Sequence, residues 1–443
     1  ILALFIVNDL SYTPIANWVD ADIRLSQYKG LILLTALIAI LTGCLAGLYP
    51  AIRSTSYAPA LVLKGSFGLS PKGKKVRVAL IGFQYTVSIA LIIVTLFMGL
   101  QNHFMTSSEQ LGFNKDQVAI VNLTPEIYAK HKPQYIQKLK DYPGIEDVAF
   151  SVYELSKEDD MIDLEYARHE DKDVFFKVFY ASENFLSVMD IQVEEGRDFT
   201  REDLNKAQSD YIINPAAERD FHLHPGDRFN DRTVLGVSKD FRFNSCRIAS
   251  SPFVFALNND IPNPKLVSYI RFNSKTNLQE AVAHVRETLK EIDPTFPFEI
   301  SFYNTILNNL YQKEQTLGKL ISLFGIMAIL ISIVGVFGLV LFETQYRRKE
   351  IGIRKINGAT TGQILLMFNK TYIRIVSVCF IISIPIAWMG TQQWLENFAY
   401  KTPLHLWVFI VAFLIILSVT IGTVTFRNWQ AANENPVNSV KSE

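Results

Sequence analysis

Four stretches of this chain run for about twenty residues without a charged side chain: Leu31 to Tyr49, Val78 to Leu100, Leu320 to Phe342 and Trp407 to Phe426. Each is long enough, as a helix, to cross about 30 Å of hydrocarbon. A fifth run, Ile375 to Met389, is shorter, and Lys370 and Arg374 at its lower end can snorkel to headgroups. Between the second and third runs lies a polar block of roughly two hundred residues, Gln101 to about Gln315. This distribution predicts an α-helical transmembrane bundle with an inserted α+β domain outside the membrane. The 43 basic and 43 acidic residues cancel, so net charge points to no particular partner, and nucleic acid is not expected. Cys44 and Cys379 fall in apolar runs and Cys246 stands alone in the polar block, which leaves no disulfide framework and no CxxC zinc pattern.

Charge sets the orientation. Arg53 to Arg77 carries Lys64, Lys72, Lys74 and Lys75 and no acid, so that side is cytoplasmic. The chain then crosses outward, places the polar block outside, returns along Leu320–Phe342, goes out and back again, and ends inside. The run Ile1 to Val7 is too short to span and reads as the cut end of a membrane helix, so the chain is expected to be a fragment. An offset of 377 residues carries Pro59 to Pro436, Lys64 to Lys441 and Leu31–Tyr49 onto Val408–Phe426. Such duplicated membrane halves are typical of transporters.

The most patterned stretch follows the third span. Arg347, Arg348, Lys349, Arg354 and Lys355 form a cytoplasmic cluster. Glu350 precedes Arg354 by four residues, the favourable order for a helical ion pair. Ile353 and Ile356 share a side at helical spacing, and Gly358 suits a left-handed helix stop. Thr360 and Gln363 have capping-box spacing for the next helix. The pattern predicts a short amphipathic helix on the cytoplasmic side. By charge alone, a flank that fixes topology or touches anionic lipid explains it equally well.

Arg347-Arg-Lys-Glu-Ile-Gly-Ile-Arg-Lys-x-x-Gly-Ala359 resembles the signature of the FtsX/MacB-like permeases, membrane subunits of a class of ABC transporters. The resemblance implies that Arg347, Arg348, Lys349, Glu350, Ile353, Arg354, Lys355, Ile356 and Gly358 dock on an ABC ATPase subunit. It implies that ATP and Mg²⁺ are bound by that partner and no cofactor by this chain. It also implies a homodimer or a pairing with a paralogous permease in the bacterial inner membrane, and a periplasmic adaptor or outer-membrane partner. In the polar block, Asn184-Phe-Leu-Ser-Val-Met-Asp-Ile191, Gly196-Arg-Asp-Phe-Thr200, Asn214-Pro-Ala-Ala217 and Val234-Leu-Gly-Val-Ser-Lys-Asp-Phe241 resemble the periplasmic domain of MacB-like proteins. The domains expected are 1–67, the back part of a first FtsX-like unit; 68–100, a linker and span; 101–315, the periplasmic domain with a second lobe inserted at about 181–252; and 316–443, a second FtsX-like unit.

Within the block, strands are predicted at Val118–Leu123, Glu146–Val152, Phe175–Tyr180, Tyr211–Ile213, Thr233–Val237 and Leu266–Phe272. Helices are predicted at Pro133–Lys140, after Asn214 and after the cap Asn277. The acidic run from Glu158 through Glu165 and Glu170 to Asp173 reads as a solvated loop. From Tyr303 a helical pattern through Leu307, Leu310, Tyr311 and Leu317 continues to Phe342 with no proline, which predicts one stalk helix of about 60 Å.

Catalytic chemistry is largely missing. Gly68 to Lys75 has GxxxxGK spacing, but Lys75 stands where a Mg²⁺-binding hydroxyl belongs and no strand precedes it. His222-x-His224 would put two imidazoles on one face of a strand, but lacks a third ligand. No nucleophile and base share a favourable context, so the chain is not expected to be an enzyme. Polar residues within the spans, Gln84, Ser88, Ser332 and Ser383, read as helix contacts rather than an ion path. Two functions fit: a permease subunit that turns a partner's ATP hydrolysis into movement of the outside domain for export or extraction, and a membrane-anchored sensor or scaffold.

Overall fold

The computed structural model describes residues 29–55, 71–107, 111–156, 163–170, 172–206, 208–242, 245–257 and 266–432. Helix α1 (Lys29–Thr55) carries the first apolar run and α2 (Pro71–Thr106) the second. The polar block then forms β1 (Val118–Leu123), α3 (Lys132–Lys140), β2 (Ile145–Ser151), β3 (Asp163–His169), β4 (Lys172–Ala181), α4 (Phe185–Met189), β5 (Val193–Gly196), β6 (Tyr211–Ile213), α5 (Pro215–Phe221), β7 (Arg228–Phe229), β8 (Arg232–Ser238), β9 (Phe253–Leu257), β10 (Leu266–Phe272), α6 (Leu278–Ile292) and β11 (Ile300–Phe302). Five helices follow: α7 (Tyr303–Leu310), α8 (Gln312–Tyr346), α9 (Arg348–Ile356), α10 (Thr361–Leu395) and α11 (Leu406–Ala432). Among the described residues, α2, α8, α10 and α11 contain segments long and apolar enough to cross a membrane.

Two compact units emerge. One holds Leu100–Glu314 with Leu395–Thr402; the other holds the residues before Leu100, Gln315–Trp394 and those from Pro403 onward. The soluble unit is a mixed sheet in the order β11-β1-β10-β2-β4-β9-β6-β8-β5, with β3 on β4 and β7 on β8. Most pairs are antiparallel; β4–β9 and β6–β8 are parallel. After Ala181 the chain adds β5, β6 and β8 to the far end of the same sheet before it returns beside β4 at Phe253. Asn214 and Asn277 cap their helices as expected, accepting from Ala217 N and Gln279 N at 2.9 and 3.2 Å. Tyr135 and Leu139 of α3 and Ala281, Val285 and Leu289 of α6 are buried in the core against the sheet. Burying a side chain such as Leu289 stabilises by about 2 kcal/mol.

Three expectations need correction. The acidic stretch is not a loop where it is described, because Glu165 lies in β3 and Asp173 in β4, paired as a hairpin. The stalk is not one helix. Tyr311, at φ −107° and ψ 13°, separates α7 from α8. Its hydroxyl accepts from Cys246 N at 3.1 Å and donates to Cys246 Sγ at 3.2 Å, a tertiary tie that local sequence does not announce. His222 is not on a strand; it ends α5 in the left-handed conformation at φ 53°.

In the membrane unit, polar groups between spans pair with one another. Tyr85 Oη lies 2.8 Å from Thr420 Oγ1, and Ser88 Oγ lies 3.0 Å from Ser332 Oγ. Ser383 donates to its own helix at Phe380 O, 2.8 Å away. A Cβ on Gly335 would come within 3.1 Å of Gln84 Oε1, so the two helices meet closely there. The shift of 377 residues seen in the sequence also carries residues 29–55 of α1 onto 406–432 of α11, helical in both. The Pro59 and Pro436 segments of that repeat lie outside the described residues.

Candidate functional site

The basic cluster forms a helix of its own. α8 ends at Tyr346, Arg347 breaks the helix at φ −94° and ψ 9°, and α9 begins at Arg348. The far end closes with a Schellman motif: Ala359 N donates to Arg354 O and Gly358 N to Lys355 O, each at 3.0 Å. Gly358 sits at φ +87°, where a side chain would be strained. Thr360 and Gln363 then exchange the two bonds of a capping box, at 3.1 and 3.3 Å, and start α10.

Between these stops the side chains sort by face. Ile351 is buried, while Ile353 and Ile356 are 56% and 65% exposed. Glu350 Oε1 lies 2.8 Å from Arg354 Nη2, so the acid is matched within the helix. Such an exposed pair contributes about 0.3–0.5 kcal/mol. Arg347 is partly buried, with its guanidinium 3.2 Å from Glu343 Oε1 and 3.9 Å from Glu350 Oε2. Arg348 and Lys349 fill the first turn, and Lys355 lies in the last. The arrangement is a fixed amphipathic helix with two bare isoleucines among cations, a shape suited to binding a protein surface.

The four stalk residues do not share one helix. Leu307 and Leu310 lie on α7 and Tyr311 on the break, with Leu307 and Tyr311 buried in the soluble unit. Leu317 lies on α8 and is 41% exposed. Sequence reasoning missed what surrounds Tyr311. Glu314 is buried and pairs with Arg247 Nε at 2.8 Å. Tyr400 N donates to Cys246 O at 3.1 Å, and Gln101 is held between Tyr400 O and Thr402 N at 3.0 and 2.8 Å. Burial pushes the Cys246 thiol above its usual range, which keeps it a neutral partner for Tyr311. The soluble unit thus binds together Gln101, Glu314 and the 395–402 segment.

Other candidates have little chemistry. Pro71 onward is the first turn of α2, so the lysine-rich GxxxxGK stretch is helical where described. Glu195, Glu218 and His224 bring donor atoms within 4.8 Å of one another on the exposed surface. A groove of about 880 Å³ between α2 and α10 is lined mostly by apolar residues such as Phe83, Val87, Val378 and Ile382, with Thr86 and Arg374 as its polar side chains.

Residues 322–436 match the model of the FtsX-like permease C-terminal family. The chain is 25% identical over 212 residues to the macrolide export ATP-binding/permease protein MacB of Aggregatibacter actinomycetemcomitans, covering 45% of this chain and 32% of that protein. It is 25% identical over 223 residues to MacB of Neisseria gonorrhoeae, covering 47% and 34%. The chain therefore spans about a third of the length of the curated relatives it matches. Among solved structures it is similar to the periplasmic region of MacB from Actinobacillus actinomycetemcomitans, at 15% identity and a TM-score of 0.33 over 45% of this chain and 94% of that one. It is also similar to the extracellular domain of the ABC-type transporter YknZ from Gram-positive bacteria, at 17% identity and 0.31 over 42% and 99%.

Proposed function

We propose, for a chain that belongs with the FtsX/MacB-like permeases, that it is the membrane subunit of an ATP-binding-cassette complex in the bacterial inner membrane. A separate ATPase subunit binds ATP and Mg²⁺ and docks on α9. Its ATP-driven movement is passed through the spans to the soluble domain in the periplasm, which exports or extracts a substrate. A second permease, itself or a paralogue, completes the membrane assembly, and a periplasmic adaptor or outer-membrane partner meets the soluble domain. The observation that carries this reading is α9: it is set off from α8 at Arg347 and closed by a Schellman motif at Gly358, yet Ile353 and Ile356 are bare. Exposed isoleucines between cations are costly for a flank that serves only topology, and they are useful in an interface.

The test leaves the basic residues in place. Ile353→Asp with Ile356→Asp keeps all five basic residues and hence the positive-inside signal. The full-length double variant is expected to insert normally and to lose co-purification with, and stimulation of, its co-expressed ATPase subunit. Buried interface anchors often cost more than about 1 kcal/mol each on truncation, so two acids in their place should cut affinity at least tenfold. Full association in detergent would mean that α9 is not the dock.

A further inference from the structure

At the root of α9 lies a polar cluster built around a buried carboxylate. Glu343, in the last turn of α8, is only 6% exposed. One carboxylate oxygen lies 3.2 Å from Arg347 Nη2, and the other accepts from Tyr372 Oη at 3.3 Å. Tyr372 is buried in α10. One residue further on, Thr344 Oγ1 meets Asn428 Oδ1 of α11 at 2.7 Å. One turn earlier in α10, Asn369 Nδ2 donates to Thr425 Oγ1 of α11 at 2.9 Å. The Arg347 guanidinium also stands 5.9 Å from the Phe368 ring. The corner between α8 and α9 is therefore tied to both following spans.

A carboxylate in an apolar bundle is expensive unless charge and hydrogen bonds compensate it. Stability alone would be served as well by an apolar residue of similar size. Placement is what distinguishes Glu343. Its two oxygens face a cation at the root of α9 and a hydroxyl on α10. Backbone bonding passes through the corner, with Arg347 N on Glu343 O at 3.0 Å and Ile351 N on Arg347 O at 2.9 Å. The one residue there outside helical geometry is Arg347. A rotation of α9 about that residue must break the Arg347–Glu343–Tyr372 chain or drag α10 with it.

We propose that Glu343 is a positioning residue that fixes the angle of α9 against α10 through Arg347 and Tyr372. If α9 is the ATPase dock, this chain is where the partner's movement enters the bundle; that consequence rests on the function proposed above, whereas the clasp does not. The test uses the full chain in lipid nanodiscs with Cys44, Cys246 and Cys379 replaced by alanine. A spin label is placed at Ile353 on α9 or at Val378 on α10, both more than half exposed. Glu343→Gln keeps the shape and the hydrogen bond to Tyr372 but removes the charge that holds Arg347. Tyr372→Phe removes the hydroxyl and keeps the ring. Each is expected to raise the mobility of the label at 353 about twofold and leave the label at 378 unchanged. The double variant should loosen α9 no further than Glu343→Gln alone, since the residues act as one unit. If either single variant leaves the 353 spectrum unchanged, or the label at 378 loosens equally, Glu343 is only part of general bundle packing. A chain that loosens at 353 but keeps its ATPase in the double-aspartate test retains the clasp and loses the dock.

Discussion

Asp203 holds three partners at once. Its carboxylate takes a fork from Arg197 at 2.7 and 2.8 Å, Lys206 at 3.0 Å, and both the backbone and hydroxyl of Thr200 at 2.9 and 2.8 Å. Arg197 first, then Lys206 and Thr200, hold it well below the usual carboxylate range. The segment Gly196 to Thr200 that resembles the MacB-like pattern is thus explained by folding. Gly196 takes φ +78°, and a Cβ there would sit 2.2 Å from Leu235 O. Because the folded-state pKa is depressed, Asp203 stabilises the unit above the unfolded value of about 4, and that contribution is lost as pH falls below it. Asp203→Asn should lower the stability of the soluble unit by about 1.5 kcal/mol at neutral pH, because the charged hydrogen bonds from Arg197 and Lys206 are lost while both cations, nearly half exposed, return to water. It should also flatten the acid limb of a thermal-melting series between about pH 5 and pH 2. An unchanged acid limb would remove Asp203 as its source.

The break between α7 and α8 sets a test at the level of elements. Gln312, the first residue of α8, is a poor place for a disrupting proline, because it has no preceding helical turn to lose. Lys319 lies eight residues in, where proline costs about 3 kcal/mol and kinks the helix. Lys319→Pro should keep the ATPase bound but abolish its stimulation, and Lys319→Ala should behave as wild type. Equal stimulation by the two would remove α8 as the transmitting element. The contrast between α9 and this break also explains what the sequence could reveal. Gly358, Thr360 and Gln363 act on backbone groups within five residues, so the stops around α9 were readable. The same holds for the asparagine caps of α5 and α6. Tyr311 breaks its helix beside Cys246, sixty-five positions away, and no local signal reports that. β9 was missed for a related reason: Phe253-Val-Phe-Ala-Leu is buried throughout and has no alternation to read. Ile353 and Ile356 are legible as a pair, whereas Glu343 owes its role to Tyr372, twenty-nine positions away, which no local pattern links to it.

At the scale of the whole molecule, the proposed orientation puts the soluble unit and α9 on opposite sides of the membrane. In the cysteine-free background, Glu194→Cys and Asn357→Cys both sit at exposed positions. An impermeant thiol reagent applied to intact spheroplasts should label the first and spare the second until the cells are broken. The opposite pattern would invert the topology and with it the docking proposal. The parallel pairing of β4 and β9 has a further bearing on how this protein can be shortened. β9 rests between β4 and β6, and β6 belongs to the residues that leave at Ala181 and return at Phe253. Excising 182–252 would strip one side of a five-residue apolar strand and leave its amide and carbonyl groups open. Such an edge recruits other chains. A miniaturised version of the soluble unit made by that cut should accumulate as insoluble material, whereas one trimmed within the turn between β7 and β8 should remain in solution.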